Sequence, residues 1–505
     1  MEQTQTRIGK GTGKLAPELR LKAQQQLKLA QYAVPVWIMP LAEVFRSFDI
    51  DSQFDVVIVD EASQVDIKGL LATYLGKKVV IVGDDEQVSP DAVGADSEFA
   101  RRLQHQYLSD IPNSHLYDGQ TSLYDLTKQV ARGQLCLREH FRCVPAIIGF
   151  SNQLSYQGQI KALREPASSH LLAHVVPYRV QGERSVGKTN LQEAKAIVHL
   201  IQAMCQHSAY DDKTIGVISL LGNEQSTLIE SLLRQALSLS EIEQRRLLCG
   251  NSAQFQGDER DVILLSMVDS NEGEGVMRLR SDGARDMNKK RYNVAVSRAK
   301  DQLWVVHSID YQTELKPDDL RRQLLAYCHE QANTTAINNT EHQTESPFEA
   351  AVLKQLLARG YRVKTQYAVG YYRIDMVVQG QNARLAIECD GDRYHSGSEK
   401  IAEDLARQAI LERLGWQFYR IRGSAFFSNP QQALTGLWQR LAELDIQPQT
   451  TPTKTTDTLL HQEIIRLAQN LATQSNNESE NLPNHSRINE LFKQRSLQRQ
   501  QEQST

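Results

Sequence analysis

The chain alternates short runs of branched apolar residues with polar turns and amphipathic stretches. Five such runs mark its first two-thirds, at residues 54–59, 78–82, 214–218, 261–265 and 303–306. Each is continuously apolar, which predicts strands buried on both faces of a parallel sheet with helices between them, an α/β fold. Polar clusters follow the first two runs directly, Asp60-Glu61 and Gly83-Asp84-Asp85. Sites in open α/β sheets collect at the carboxyl ends of strands, so these clusters are candidate chemistry. Residues 329–345 turn polar and read as a linker. A compact α+β pattern fills 346–445. The Thr-, Gln-, Asn- and Ser-rich tail 446–505 is expected to be mostly disordered, apart from an amphipathic stretch at 459–471.

A length of 505 residues fits roughly three domains. The net charge of −4 means that nucleic acid must be met by local basic patches rather than by an overall field. The basic run Lys289-Lys290-Arg291 is expected to be a solvated face. Six cysteines include no C-x-x-C pair, which argues against a zinc ribbon or a disulfide framework. No run approaches the roughly 18 apolar residues needed to span a bilayer, and residues 1–6 carry no apolar leader core. A cytoplasmic protein with no membrane partner is the expectation.

The segment Asp55-Val56-Val57-Ile58-Val59-Asp60-Glu61 has a Walker B shape. An apolar strand delivers two adjacent carboxylates, one for a Mg²⁺ shell and one to activate water. Acidic residues in this place also serve as helix caps. The next strand ends Gly83-Asp84-Asp85-Glu86-Gln87, which sets a turn and an amide beside that pair. Arg142 and Arg298 follow in Leu137–Arg142 and Asn293–Arg298. In this order they read as cations neutralising a transferring phosphoryl group.

Together these segments resemble superfamily 1 helicases of the DEAxQ group. Asp60-Glu61-Ala62-Ser63-Gln64 is similar to motif II and 83–87 to motif III. Residues 137–142 are similar to motif IV, Phe255-Gln256-Gly257-Asp258-Glu259-Arg260-Asp261 to motif V, and 293–300 to motif VI. The resemblance implies two RecA-like P-loop NTPase domains, here the incomplete remainder of the first (1–135) and the second (136–328). Together they clamp ATP and track single-stranded nucleic acid. It implies that Asp60 holds Mg²⁺, Glu61 activates water, Gln87 senses the γ-phosphate, and Arg142 and Arg298 are fingers. Gln256, Gly257 and Glu259 couple nucleotide to strand movement.

The family's phosphate-binding loop, G-x-x-x-x-G-K-[ST], should precede motif II, and residues 1–53 contain none. Gly9-Lys10-Gly11-Thr12-Gly13-Lys14-Leu15 is a near miss: its glycines are too close and Leu15 replaces the Mg²⁺-binding hydroxyl. A full match occurs at Gly182-Glu183-Arg184-Ser185-Val186-Gly187-Lys188-Thr189, downstream of motif II, where the family has a variable connection. The preferred expectation is a chain lacking its N-terminal portion, with a separate helicase fragment supplying the loop.

In the C-terminal pattern, Ser346-Pro347-Phe348-Glu349 opens a helix, and Glu349 completes an S-x-x-E capping box or joins a metal site. Asp375 lies on one strand; Glu388 and Asp390, two apart, share a face of another. Three converging carboxylates suit hard divalent ions and metal-activated attack on a phosphodiester. Residues 346–445 resemble the PD-(D/E)XK restriction-endonuclease-like fold, and within it the Vsr-like nucleases, through Gln366, Asp375, Glu388, Asp390-Gly391, His395, Asp404, Arg407 and Gly415-Trp416. That implies Mg²⁺ or Mn²⁺ at Asp375 and Glu388, with Glu349 and Asp390 beside them. Asp390 stands where the motif usually has Lys. Asp404 and Arg407 also read as a surface pair, and His395 as a loop hydrogen-bonder. The expected protein is an ATP-dependent DNA helicase fragment carrying a metal-dependent endonuclease; the alternative is a non-catalytic nucleic-acid clamp.

Overall fold

The computed structural model describes residues 18–448 and 460–480, apart from scattered positions before 33 and the stretches 50, 89–96, 119–120, 165–170, 272, 274, 282–285, 338–343, 345, 370–371, 381–382 and 391–397. Two compact units form, Met1–Leu137 with Asp282–Val294, and Arg138–Ser281 with Ala295–Thr505. Among the described residues no helix is long and apolar enough to cross a membrane.

In the first unit, β1 (Phe54–Val59) and β2 (Gly76–Ile81) pair in parallel, with Val59 beside Ile81. Helix α1 (Leu123–Val130) begins where the Ser122 side chain accepts the Asp125 N–H. Val59, Ala62, Ala72 and Leu123 make a small core with Leu41, Phe45 and Tyr124. The expected burial on both faces is not met here: Val56 is 48% exposed, Ile58 66% and Val80 46%. A strand that alternates its side chains needs a layer on each face, and this pair has a core on one.

The second unit starts with β3 (Glu139–His140), α2 (Pro145–Ser155) and β4 (Lys161–Ala162). It then builds a five-stranded parallel sheet from β5 (Val175–Arg179), β6 (Ile215–Ser219), β7 (Leu248–Asn251), β8 (Arg260–Ser266) and β9 (Ala299–His307), in the order β5-β9-β8-β6-β7. Helix α3 (Leu191–Cys205), capped by the Asn190 side chain on the Glu193 N–H, lays Ile197, Leu200, Ile201 and Met204 against Val217, Leu264 and Trp304. Helix α4 (Glu224–Ala236) adds Ile229 and Leu233 to that core. Helix α5 (Met287–Ser297) leads into β9. Helix α6 (Leu320–Ile337) runs through the first half of the expected linker, since no Gly or Pro interrupts 329–337.

Residues 346–446 form two cores of their own. Helix α7 (Pro347–Ala358) precedes a sheet of β10 (Arg362–Val369), β11 (Tyr372–Gln379), β12 (Arg384–Asp390) and β13 (Phe418–Arg422), with helix α8 (Ser398–Arg413) between the last two. The first two pairings are antiparallel and the last is parallel. One face packs Met376, Val378 and Ile387 under Val352 and Leu356 of α7, and under Leu437 and Leu441 of α9 (Thr435–Glu443). The other packs Ile374, Val377 and Ala386 against Leu411 and Trp416.

The amphipathic stretch at 459–471 falls, from residue 460 on, within α10 (Leu460–Glu480), which continues it through 472–480. Ile464 and Ala468 enter the core of the five-stranded sheet beside α3, and Leu460, Leu467 and Leu471 pack around them. His461 Nδ1 accepts the Ala173 N–H at 3.2 Å, and Glu463 lies 3.3 Å from His207. Burying an apolar stripe stabilises a helix that its polar composition alone would not hold.

Candidate functional site

At the carboxyl end of β1 the backbone turns sharply. Asp60 Oδ1 accepts the Glu61 N–H at 2.9 Å, and Glu61 sits in the left-handed region with φ 51°. That conformation costs a residue with a Cβ on the order of 1 kcal/mol, strain that concentrates at functional positions. Both carboxylates are exposed, and Gln64 Nε2 donates to Glu61 Oε2 at 3.1 Å. The turn after β2 lies alongside, because the Val82 N–H reaches Val59 O and the Ala62 N–H reaches Val82 O, both at 2.9 Å. Gly83 has no room for a Cβ, which would lie 2.8 Å from Tyr124 Cδ2 and 3.0 Å from Ser63 N. Gln87 Nε2 donates to Asp84 Oδ2 at 2.9 Å, so the amide folds onto its own turn. Lys128 pairs with Asp85 at 2.5 Å and Lys289 with Glu86 at 2.8 Å, while Asn293 Nδ2 donates to Glu86 O at 2.9 Å.

In the second unit Arg142, Glu259 and Arg298 converge around the turn before β8. Arg142 Nε lies 2.6 Å from Glu259 Oε2, and Lys300 Nζ lies 3.0 Å from its other oxygen. Burial would raise the Glu259 carboxyl, but Lys300 and Arg142 outweigh it and hold it below its ordinary value. Arg298 is buried and donates to Asp258 O at 3.3 Å. Gly257 takes φ +81°, a left-handed turn that carries Gln256, whose Nε2 is buried with no hydrogen-bond partner. His140 Nε2 accepts the Cys143 N–H at 3.0 Å. Its basicity is pushed down to about 4 by burial first, and then by Arg142 and Arg298. A buried guanidinium, Arg298, and a half-buried one, Arg142, therefore share one neighbourhood.

In the 346–446 region Asp375 on β11 and Glu388 on β12 lie on adjacent strands. Asp375 Oδ2 accepts the Cys389 N–H at 2.7 Å, and burial raises the Asp375 carboxyl above its ordinary value. Glu388 is 4% exposed; burial first and Asp375 second push it up to about 7. One of its oxygens pairs with Arg407 at 2.9 Å, and the other, Oε1, is buried with no hydrogen-bond partner. Asp390 faces Arg420, whose Nη1 lies 3.0 and 3.1 Å from its two oxygens. Ser346 caps α7 by accepting the Glu349 N–H at 3.1 Å, and the Glu349 carboxylate accepts from Ser346 Oγ at 2.8 Å and from Gln366 Nε2 at 3.0 Å.

Residues 118–310 match the family described as an AAA domain, and residues 348–441 match the REase_MTES_1575 family. An uncharacterized ATP-dependent helicase of Mycoplasma pneumoniae, the MG140 homolog, is 25% identical over 417 residues, which is 76% of this chain and 36% of that protein. The 5'-3' DNA helicase ZGRF1 of Mus musculus is 27% identical over 289 residues, 55% of this chain and 14% of that protein. The chain joins a superfamily 1 helicase region to a restriction-endonuclease-like domain. Human DNA replication ATP-dependent helicase/nuclease DNA2 is similar as well, 28% identical over 279 residues, 50% of this chain and 24% of that protein. The chain thus spans little more than a third of the length of such relatives at most.

In the helicase region the carboxylates suited to Mg²⁺ are present, but the described residues offer no phosphate cradle. The 9–15 near miss lies outside them. The 182–189 match forms a tight turn: Ser185 and Thr189 exchange backbone and hydroxyl hydrogen bonds, the hydroxyls 2.7 Å apart, and an Arg184–Asn190 bridge closes it. Lys188 and Thr189 precede the Asn190 cap instead of occupying the first helical turn, where a phosphate-binding loop presents them.

In the endonuclease-like domain a divalent cation fits the chemistry of Asp375 and Glu388: a half-buried carboxylate that raises a buried one, the latter with an unpartnered oxygen. The expected convergence of three carboxylates is not formed. Among the described residues no group of three or more His, Cys, Asp or Glu is placed to hold a metal, because Asp390 is drawn to Arg420 and Glu349 to Ser346 and Gln366. His395 lies outside the described residues. Arg407 reaches Glu388, while the Asp404 side chain lies outside the described ones. Against the expected solvated face at 289–291, Lys289 is paired with Glu86 and is 19% exposed. Sequence reasoning missed Lys300 and Arg420, whose partners are remote in sequence.

Proposed function

We propose that the chain is the C-terminal part of an ATP-dependent DNA helicase or translocase carrying a Mg²⁺- or Mn²⁺-dependent DNA endonuclease domain. The observation that carries the motor half is the gathering of Arg142, Glu259 and Arg298 around the Gln256-Gly257 turn. Two neighbouring guanidiniums, one of them buried, suit charge developing on a phosphoryl group. In this reading Asp60 would hold Mg²⁺, Glu61 would take a proton from water, Gln87 would sense the γ-phosphate, and Gln256, Gly257 and Glu259 would link nucleotide to strand movement. The phosphate cradle must come from elsewhere. A separate N-terminal helicase fragment bearing G-x-x-x-x-G-K-[ST] would supply it and would also cover the exposed Val56, Ile58 and Val80. Single-stranded DNA is the proposed track, and the cytoplasm the compartment.

The nuclease half rests on Glu388, a buried carboxylate with an unmet oxygen beside Asp375. These two would hold the cation, with Glu349 and Asp390 flanking them. A bound cation would lower the pKa of a water; the domain's own part is to fix both carboxylates on adjacent strands. The test is nicking of plasmid and single-stranded DNA by the full chain across divalent metals. Asp375→Ala and Glu388→Ala should each abolish cutting while preserving the fold, and robust cutting in EDTA would remove the metal site. The second reading, a non-catalytic nucleic-acid clamp, is favoured by the Arg420 contact that neutralises Asp390. It prevails if no metal supports cutting of any substrate.

A further inference from the structure

Position 390 presents an acid where the nuclease motif calls for a cation, and that acid is already paired with Arg420. A second guanidinium meets the neighbouring carboxylate, Glu388. Arg407, from the middle of α8, places Nη2 2.9 Å from Glu388 Oε2, and its Nη1 donates at 3.0 Å to the carbonyl of Arg373, two residues before Asp375 on β11. These two contacts aim the planar group at the space flanked by the two carboxylates. They use one hydrogen on each terminal nitrogen, and Nε is buried with no hydrogen-bond partner.

We propose that Arg407 is the cationic catalytic residue of the endonuclease site, binding the scissile phosphate and stabilising the charge that builds on it. The role rests on the nuclease reading above. A guanidinium retains its charge at any working pH and offers five donors in a fixed fork, the geometry that a phosphate oxyanion accepts. Glu388 Oε1 and Arg407 Nε are both buried with no hydrogen-bond partner. Both groups are thus incompletely satisfied until an anion and a cation enter together. No covalent bond to Arg407 forms or breaks: it holds the phosphate while water attacks and the leaving oxygen departs.

The experiment uses the full chain with a DNA duplex, comparing wild type with Arg407→Ala and Arg407→Lys. With Mn²⁺, Arg407→Ala should lose on the order of 100-fold in kcat, and Arg407→Lys should recover part of it as a point charge without the fork. In EDTA, DNA binding followed by anisotropy should show a salt slope shallower by about 1 for Arg407→Ala and unchanged for Arg407→Lys, the signature of one lost phosphate contact. Equal thermal melting of all three keeps the comparison valid. Wild-type cutting matched by Arg407→Ala overturns the role alone. Loss of cutting together with lowered melting and an unchanged salt slope reduces Arg407 to a packing residue and also overturns it. An inert wild type removes the nuclease reading and this role with it.

Discussion

Two parallel sheets in this protein have the same kind of sequence and opposite surroundings. The strands β1 and β8 are both short, continuous apolar runs. On β8, Val262, Ile263, Leu264 and Leu265 are fully buried between helices and neighbouring strands. On β1, Val56 and Ile58 stand 48% and 66% exposed in a two-stranded sheet. Strand composition expresses a demand for two covering layers, and only the five-stranded sheet meets it. The candidate chemistry follows the same division. Arg142 and Glu259 pair with each other and Arg298 holds the Asp258 carbonyl, whereas Asp60 and Glu61 lie open at the end of the uncovered pair.

The largest expected effect comes from completing the poorer sheet. Co-expression with a fragment carrying a phosphate-binding loop should protect the β1 and β2 amides from hydrogen exchange and create ATPase activity. In that complex Glu61→Gln should lower kcat by roughly 10²–10⁴-fold with nucleotide affinity retained, since only the proton acceptor is lost. ATPase of the complex that is indifferent to Glu61→Gln and Arg298→Ala would break the motor assignment.

Next in size is a matched pair of truncations read by urea unfolding. Leu264→Ala should cost about 2–5 kcal/mol through cavity formation, and Ile58→Ala under about 0.5 kcal/mol, because an exposed side chain leaves no cavity. Similar costs would show that β1 is covered in solution. A third probe concerns the tail: Ile464→Ala should remove about 2 kcal/mol from the five-stranded domain, although residue 464 lies beyond the endonuclease-like domain in sequence. No change in its unfolding midpoint would detach α10 from that core.

The smallest effect is a pH dependence. His307 donates from Nδ1 to Ile309 O at 3.0 Å, and burial pushes its pKa down from 6.5 to about 4. Between those values the unfolded chain binds the proton that the folded chain refuses, so stability falls as pH drops from 6.5 towards 4 and is fully present above 6.5. At pH 5.5 the loss is about 1 kcal/mol. His140, also held near 4, adds a similar dependence. His307→Asn, which keeps a donor for Ile309 O, should flatten the acid side of a melting-temperature profile; an unchanged profile would mean that His307 titrates normally.

Local pattern determined the strands, the turns that follow them and the residue types at each candidate site. Each depends on chemistry within a few residues: an apolar run for a buried strand, adjacent carboxylates at its end, an S-x-x-E box for a helix start. Pairing between distant residues needed the tertiary structure. Nothing near Asp390 announces Arg420, and nothing near Glu388 announces Arg407; parallel β12–β13 pairing and the seat of α8 bring them together. The same holds for α10: its amphipathic stretch is legible in the sequence, but the place where its apolar stripe is buried, beside α3, is not. The 182–189 segment shows the reverse case, since its spelling is that of a phosphate-binding loop and its backbone is a closed turn ahead of the helix cap. Spelling specifies which groups are available. Whether their N–H groups, carboxylates and guanidiniums converge depends on long-range packing, because a hydrogen bond or ion pair is satisfied by whichever partner the fold delivers within about 3 Å.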